Sequence, residues 1–230
     1  MKARSEISGS SQSVEDFLKA VYTLQAGGER VSTNAMADAL NISAPAVTDM
    51  AQRLVEEGTV DYLKYRGVRL TELGERVALR MLRRHRLIET YLVRDLGYQL
   101  HEIHDEAEAL EHSVSDRFVE AIARKLGDPR YDPHGDPIPN PHGIIQERNL
   151  KPLCKLSLHT PARISRFIMD DPAMLQNSQE RGLRMGVTLE VLERDPFEGP
   201  IRVRFNSERT QTIGYKMASS ILVETVDNMC

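Results

Sequence analysis

Cysteine is scarce in this chain, with only Cys154 and Cys230 among 230 residues. Two cysteines are too few for a disulfide framework. Neither has a second cysteine or a histidine at the spacing of metal ligands. We therefore expect neither a disulfide-stabilised fold nor a thiolate metal centre.

Long apolar stretches are also missing. No run reaches the roughly 18 apolar residues of a membrane span, so no span is expected. Residues 1–13 are polar and rich in serine, and they lack the apolar core of a signal peptide. These two absences predict a cytoplasmic protein.

Positive charge is not in excess, since 30 Lys and Arg face 34 Asp and Glu for a net charge of −4. That balance does not favour nucleic-acid binding, because affinity for phosphate comes largely from Lys and Arg. Only one face has to be basic, however. The stretch 64–69 contains three cations and no acid, whereas carboxylates concentrate in 102–111. The stretch 64–69 therefore offers a local basic surface.

Three segments follow one another along the chain. Residues 13–127 have helical periodicity, and residues 128–143 hold five of the eleven prolines and predict an extended linker. From about residue 150 onward, short β-rich runs alternate with turn signals. We divide the chain into an N-terminal part with a hairpin (1–72), two longer helices with the linker (73–143), and a small β domain (150–230).

The first segment predicts five helices and a hairpin. The first helix begins at Ser13 as its N-cap. The other helices are predicted over residues 33–40, 44–57, 71–96 and 101–126. Two short strands, 60–63 and 68–70, flank a glycine turn.

The last segment contains candidate strands over residues 163–169, 188–194, 201–205 and 221–226. About five short strands over roughly 70 residues are typical of a small barrel.

A helix, a tight turn, a second helix and a hairpin form the order of a winged helix-turn-helix. In that motif the second helix enters the major groove of DNA with its N-terminal residues. The residues that we assign to this contact are Ser43, Ala44, Pro45, Ala46, Thr48, Asp49 and Gln52. No arginine is placed to read guanine, so we expect many backbone contacts and specificity drawn partly from DNA shape.

The hairpin would add phosphate contacts through Lys64, Arg66 and Arg69. Three packed helices with no role in DNA binding are the alternative to this interpretation.

Carboxylates and imidazoles recur at helical spacing on the fourth and fifth helices. The fourth places His85 and Glu89 within an apolar stripe, and the fifth carries a polar row beside its apolar face: His104, Glu108, Glu111 and His112. Such oxygen and nitrogen ligands without thiolate favour Mn²⁺ or Fe²⁺ over a structural zinc site. Each residue also has an ordinary explanation. The glutamates are compatible with a solvated face, and His85 and Glu89 with pairing to Arg83, Arg84 or Arg86.

Two other functions use the same residues. A metallohydrolase would use the cluster to activate water, although no nucleophile motif or phosphate-binding glycine loop is present. A metal buffer or trafficking protein would need no helix-turn-helix.

Several runs resemble the diphtheria-toxin-repressor family of metal-dependent regulators, which includes manganese transport regulators. They are Val14-Glu15-Asp16-Phe17-Leu18, Ser43-Ala44-Pro45, Arg84-His85-Arg86-Leu87, the nine residues from His104 to His112, and Pro133-His134-Gly135-Asp136-Pro137-Ile138-Pro139. A weaker similarity extends over 150–226, which resembles the family's SH3-like domain of the ferrous-transport A type.

The resemblance implies a mainly α fold with an N-terminal winged helix-turn-helix, a helical dimerisation domain and a C-terminal all-β SH3-like barrel. It also implies a homodimer that binds a double-stranded operator and represses metal-uptake genes. Two metal sites per subunit are implied. The first matches Asp16, Glu108, Glu111 and His112, and the second matches His85, Glu89 and His104, with Asp171 as a further ligand.

The chain departs from both branches of the family that it resembles. Iron-type members have Met and Cys where this chain has Asp16 and Glu108, and these carboxylates favour Mn²⁺ over Fe²⁺. Short manganese regulators have Glu where this chain has Lys19. The sequence thus combines manganese-type ligands with the longer, iron-type architecture.

Overall fold

The computed structural model describes residues 12–25, 28–169, 171–205 and 209–226. The chain forms two compact units. Unit 1 comprises residues up to His85 together with Pro139–Ile144, and unit 2 comprises Arg86–Ile138 and the chain from Ile145 onward. The division into three parts made from the sequence stays a prediction.

Unit 1 contains three short helices, a hairpin and the first half of a long helix. These are α1 (Gln12–Leu24), α2 (Thr33–Leu40), α3 (Ala44–Glu56), β1 (Val60–Leu63), β2 (Gly67–Leu70) and α4 (Glu72–Leu96), and α4 continues into unit 2. The side chains of Ser32 and Ser43 accept hydrogen bonds from backbone N–H groups of the first turns of α2 and α3. Ser13, in contrast, lies inside α1, so its predicted role as N-cap is wrong.

The core of unit 1 is formed by the apolar faces of α1, α2 and α3 and by the inner face of the hairpin. Phe17, Met36 and Leu54 are fully buried at its centre. Each of these side chains comes from a different helix, so burial of their apolar surface joins the three helices. This packing fixes the orientation of α3, the predicted recognition helix.

The fifth predicted helix is in fact two helices, α5 (Ile103–Glu111) and α6 (Asp116–Lys125). The break lies at residues 112–115, where Ser115 caps α6 by accepting a hydrogen bond from Phe118 N–H. The apolar periodicity continues across the break, which is why it predicted one helix over 101–126. Both short helices pack on α4 through small apolar clusters, which include Leu87, Ile88 and Ile103.

The C-terminal part of unit 2 is a six-stranded antiparallel sheet in the order β3-β8-β4-β5-β6-β7. Its strands are β3 (Lys151–Pro152), β4 (Ala162–Phe167), β5 (Thr188–Arg194), β6 (Ile201–Phe205), β7 (Thr210–Ile213) and β8 (Ile221–Thr225). Two helices that the sequence analysis did not predict, α7 (Pro172–Glu180) and α8 (Tyr215–Ser219), interrupt the strands. The alternating strand residues bury one apolar face with Ile164, Val191 and Val203 in its core.

The proline-rich segment between α6 and the sheet is not a free linker. Asp132 and Ile138 are buried, and Tyr131 and Pro137 form an isolated β-bridge. His134 O accepts a hydrogen bond of 2.8 Å from Phe167 N–H of β4. The prediction of an extended linker is therefore wrong, because the backbone turns at 133–134 and 141–142 and the residues up to Ile138 pack within unit 2.

Candidate functional site

The first half of α3 presents two faces of different character. Val47, Ala51 and Leu54 are buried, whereas the predicted contact residues Pro45, Ala46, Asp49 and Gln52 are exposed. The Ser43 Oγ caps the helix at 3.3 Å from Ala46 N, and the Thr48 hydroxyl donates to Ala44 O at 3.1 Å. Ser43 and Thr48 therefore hold the helix start together, and the exposed four form a surface available to a ligand.

The hairpin formed by β1 and β2 is clamped at its base. Arg30 donates to both Asp61 Oδ2 (2.5 Å) and Asp61 O (2.7 Å), and Val31 pairs with Val68 in a β-bridge. The Arg30 guanidinium beside Asp61 lowers the pKa of that carboxyl below its ordinary value, and Arg69 lowers it further. Of the three predicted wing cations, Lys64 and Arg66 lie at the tip, whereas Arg69 is paired with Asp61 at 3.0 Å.

The predicted ligands of α4 are deeply buried. His85 is 6% exposed and Glu89 is 3% exposed, and they lie one turn apart on the same side of this continuous helix. Of the neighbouring arginines, Arg83 donates to Pro139 O at 3.0 Å and Arg86 donates to Pro137 O at 2.6 Å. A buried carboxylate beside a buried imidazole needs compensation by charge or by hydrogen bonds.

Two imidazoles from other segments approach Glu89. His104 Nδ1 of α5 lies 3.8 Å from Glu89 Oε1, and His134 Nε2 of the proline-rich segment lies 3.9 Å from the same oxygen. His104 was predicted from its helical spacing. His134 was not predicted as a ligand, because nothing in its local spacing connects it with α4.

A buried carboxyl lies beside this cluster. Asp132 Oδ1 accepts hydrogen bonds from the backbone N–H groups of His134 (2.8 Å) and Asp136 (2.9 Å), and its other oxygen lies 3.6 Å from Arg86 Nε. Burial raises the pKa of the Asp132 carboxyl well above its ordinary value, and the nearby Asp136 and Glu89 carboxylates raise it further. Asp132 therefore shapes the turn that places His134 beside Glu89.

The end of α5 holds the second predicted group. Glu111 is fully buried, and its Oε1 lies 3.4 Å from His112 Nε2. His112 is the C-cap residue of α5, so the end of the helix fixes its position. A glutamate without solvent exposure beside an imidazole is a donor pair that suits a divalent cation.

Three further predicted ligands differ from these in their exposure. Glu108 is exposed on α5, Asp16 is half-buried on α1, and Asp171 is exposed. The Asp171 carboxylate caps α7 by accepting hydrogen bonds from Ala173 N–H (2.9 Å) and Met174 N–H (3.3 Å). Glu108 and Asp171 are in no group of at least three clustered donor atoms among the residues that the structure describes. Their assignment as ligands stays a prediction.

The arrangement is that of a metal-binding protein with a winged helix-turn-helix for DNA. The N-terminal unit presents an exposed helix face next to a hairpin with cationic tips, as a winged helix-turn-helix does. The following helices bury carboxylates and imidazoles in the way that helical metal sites require. None of the helices in the described parts of the chain is long and apolar enough to cross a membrane.

Comparison with known families gives the same assignment. The chain matches the N-terminal DNA-binding domain of iron-dependent repressors over residues 10–68, their metal-binding and dimerisation domain over 71–140, and the FeoA domain over 151–225. It belongs to the diphtheria-toxin-repressor family of metal-dependent, DNA-binding transcriptional repressors. The family is one of repressors and not of enzymes, so the metallohydrolase alternative is wrong.

Several relatives resemble the chain along most of its length. The diphtheria toxin repressor of Corynebacterium efficiens is 26% identical over 225 residues, which cover 94% of this chain and 96% of the relative. A manganese-dependent transcriptional repressor in complex with manganese is 39% identical with a TM-score of 0.86, and the match covers 93% of this chain and 100% of that one. The manganese regulator SloR is 34% identical with a TM-score of 0.72, covering 93% and 98%.

Proposed function

We propose that this protein is a manganese-responsive repressor that binds a DNA operator as a homodimer and controls genes of metal uptake. The observation that carries the choice of metal is the donor set. Carboxylates and imidazoles form both groups of predicted ligands, and the one cysteine in the described residues, Cys154, is buried in the core of the sheet domain. Hard oxygen ligands suit Mn²⁺, and Fe²⁺ is the second choice.

The primary site of this proposal consists of Asp16, Glu108, Glu111 and His112. The contact between Glu111 and His112 and their burial support the inclusion of these two residues. Asp16 and Glu108 are included on the resemblance of their sequence runs to manganese-type regulators. A bound cation would interact favourably with the charge of the buried Glu111 carboxylate.

The second site consists of His85, Glu89 and His104, to which we add His134 on the basis of its approach to Glu89. The approach of two imidazoles to the buried Glu89 carboxylate supports this site, because carboxylate and imidazole together suit a divalent cation. Asp171 stays a predicted further ligand, although capping of α7 already occupies one of its oxygens. Two metal ions per subunit follow from this assignment.

Metal regulates DNA binding only if it binds the DNA-competent state more tightly than the other states. In a homodimer, two recognition helices would meet two half-sites about one turn of DNA apart. The match to a dimerisation domain over 71–140 supports this arrangement. We place the protein in the cytoplasm, in the compartment of the DNA that it would bind.

The experiment that tests the proposal is fluorescence anisotropy of a labelled fragment from upstream of the gene. Protein is titrated at fixed salt in chelator, Mn²⁺, anaerobic Fe²⁺ and Zn²⁺, with a scrambled fragment of equal length as the control. We expect tight binding to the upstream fragment only with metal, and the tightest binding at the lowest free concentration with Mn²⁺. Equal affinity in chelator would break the link between metal and DNA, and a preference for Fe²⁺ would reverse the assignment of the metal.

A further inference from the structure

The tip of the hairpin is a three-residue loop on a rigid base. The last strand pair is Leu63 with Gly67, and Arg66 N–H closes the turn on Leu63 O at 2.9 Å. Gly67, at the start of β2, allows the hairpin to lie close to Val31, because a Cβ at this position would lie 2.0 Å from Val31 O. Together with the Arg30–Asp61 contact, this close approach ties the hairpin to the segment before α2. The loop of Lys64, Tyr65 and Arg66 therefore projects from a fixed support.

Tyr65 lies at the centre of this loop with a strained backbone conformation. Its φ of +66° lies in the left-handed region, which a side chain with a Cβ makes unfavourable. The residue is also 91% exposed, so the ring adds almost nothing to the core. Glycine would adopt the same backbone without strain, and fold stability therefore gives no reason for a tyrosine here.

The surroundings of the ring are cationic. Lys64 Nζ lies 5.1 Å from the ring centroid, Arg66 follows directly, and no acid occurs from Tyr62 to Thr71. Unit 2 offers a comparison in Phe197, which is fully exposed with a φ of +58° between β5 and β6. In the sequence, Glu198 follows that ring directly and Asp195 lies two residues before it. The two strained aromatic residues differ in the charge around them, and only Tyr65 has neighbours that attract phosphate.

We infer that Tyr65 is a DNA-contact residue, whose ring packs against the deoxyribose-phosphate backbone of the duplex while the flanking cations bind phosphate. This inference rests on the proposed function in taking DNA as the partner. An aromatic ring tolerates any sequence when it packs on sugar or base faces, and the phenol O–H can donate to a phosphate oxygen. Tyr65 then contributes affinity that is independent of sequence, beside the readout by α3.

The test compares Tyr65→Gly with the matched control Phe197→Gly in the full-length protein saturated with Mn²⁺. Anisotropy is measured on the upstream fragment and on its scrambled version across a series of salt concentrations. We expect Tyr65→Gly to lower the affinity for both fragments roughly tenfold. The Tm should not fall, because the substitution removes the backbone strain at this position. The salt slope should stay unchanged, whereas Arg66→Ala should lower its magnitude by about one unit. Phe197→Gly should bind as the wild type does.

Two further results bear on the inference. Tyr65→Phe keeps the ring, so it should retain most of the affinity. Wild-type affinity in Tyr65→Gly would overturn the inference, and so would a loss restricted to the upstream fragment, since that would indicate base reading. The proposed metal response can fail while the Tyr65 inference holds, because the Tyr65 contact can be measured on any duplex at low salt. A wild-type protein that binds no duplex under any condition would overturn both proposals.

Discussion

The two proposed metal sites differ in their balance of oxygen and nitrogen. Three of the four primary ligands are carboxylates, whereas the second site surrounds one carboxylate, Glu89, with imidazoles. Carboxylate oxygen suits Mn²⁺, and imidazole suits the later transition metals as well. One chain thus offers a more selective and a less selective environment. We expect the primary site to set the metal response and the second site to tune it.

The largest effect expected is on the primary site. His112→Ala removes the imidazole beside the fully buried Glu111. Metal-dependent DNA binding should be lost while the far-UV circular dichroism stays that of the wild type. The exposed His142, changed to Ala, serves as the control for the loss of a histidine. Metal-responsive binding in His112→Ala would exclude this residue from the site and remove the basis of the comparison.

The second site should matter less for DNA binding. Glu89→Gln removes the charge of its central carboxylate, so bound Mn²⁺ measured after equilibrium dialysis should fall from two ions to one per chain. Affinity for the upstream fragment should fall about fivefold, within the usual range of coupling between sites. If Glu89→Gln abolished metal-dependent DNA binding as completely as His112→Ala, the two sites would act as one unit.

Selectivity is tested by Glu108→Cys, which replaces an oxygen ligand by sulfur. The metal preference should move toward Fe²⁺ and softer ions, because thiolate favours them. Glu106→Cys, also exposed on α5, controls for a new thiol on this helix. If the anisotropy titrations with Mn²⁺, Fe²⁺ and Zn²⁺ rank the metals as before, Glu108 does not determine the selectivity of the primary site.

The smallest effect is expected for His104→Ala. The His104 side chain is 64% exposed, so water can replace it as a ligand at lower cost than it can replace the buried Glu89. Calorimetric titration with Mn²⁺ should show a loss of affinity at the second site of roughly tenfold or less. If His104→Ala lost more Mn²⁺ affinity at the second site than Glu89→Gln, the exposure of a ligand would not predict how much it contributes to this site.

Much of unit 1 was predictable because its signals are local. Ser43 with Pro45 marked the start of α3, and the two strands of the hairpin were located to within one residue, since β2 begins at Gly67. In α4 and α5, His85 and Glu89 were selected because they interrupt an apolar stripe, and Glu111 because it lies in a polar row beside one. All three are buried. Their burial depends on helix periodicity, which the sequence displays directly.

The errors came from signals that were present but assigned another role, and from contacts at long range. Asp171-Pro172 is a helix start, with a capping carboxylate before a proline, yet Asp171 was assigned only as a metal ligand. Ser115 begins α6, but the continuing apolar stripe concealed it. His134 reaches Glu89 from a segment that is 45 residues further along the chain and has no periodicity of its own. A contact of this kind depends on tertiary packing.

The division of α3 into a buried and an exposed face has a consequence for how such regulators diverge. The residues that would read an operator, Pro45, Ala46, Asp49 and Gln52, do not belong to the core formed by Val47, Ala51 and Leu54. Exposed substitutions usually change folding free energy by no more than about 0.5 kcal/mol. New operator preferences can therefore accumulate one residue at a time without loss of the fold or of the metal response. The same separation would let an engineer retarget the protein to a chosen promoter while its sensor part is left unaltered.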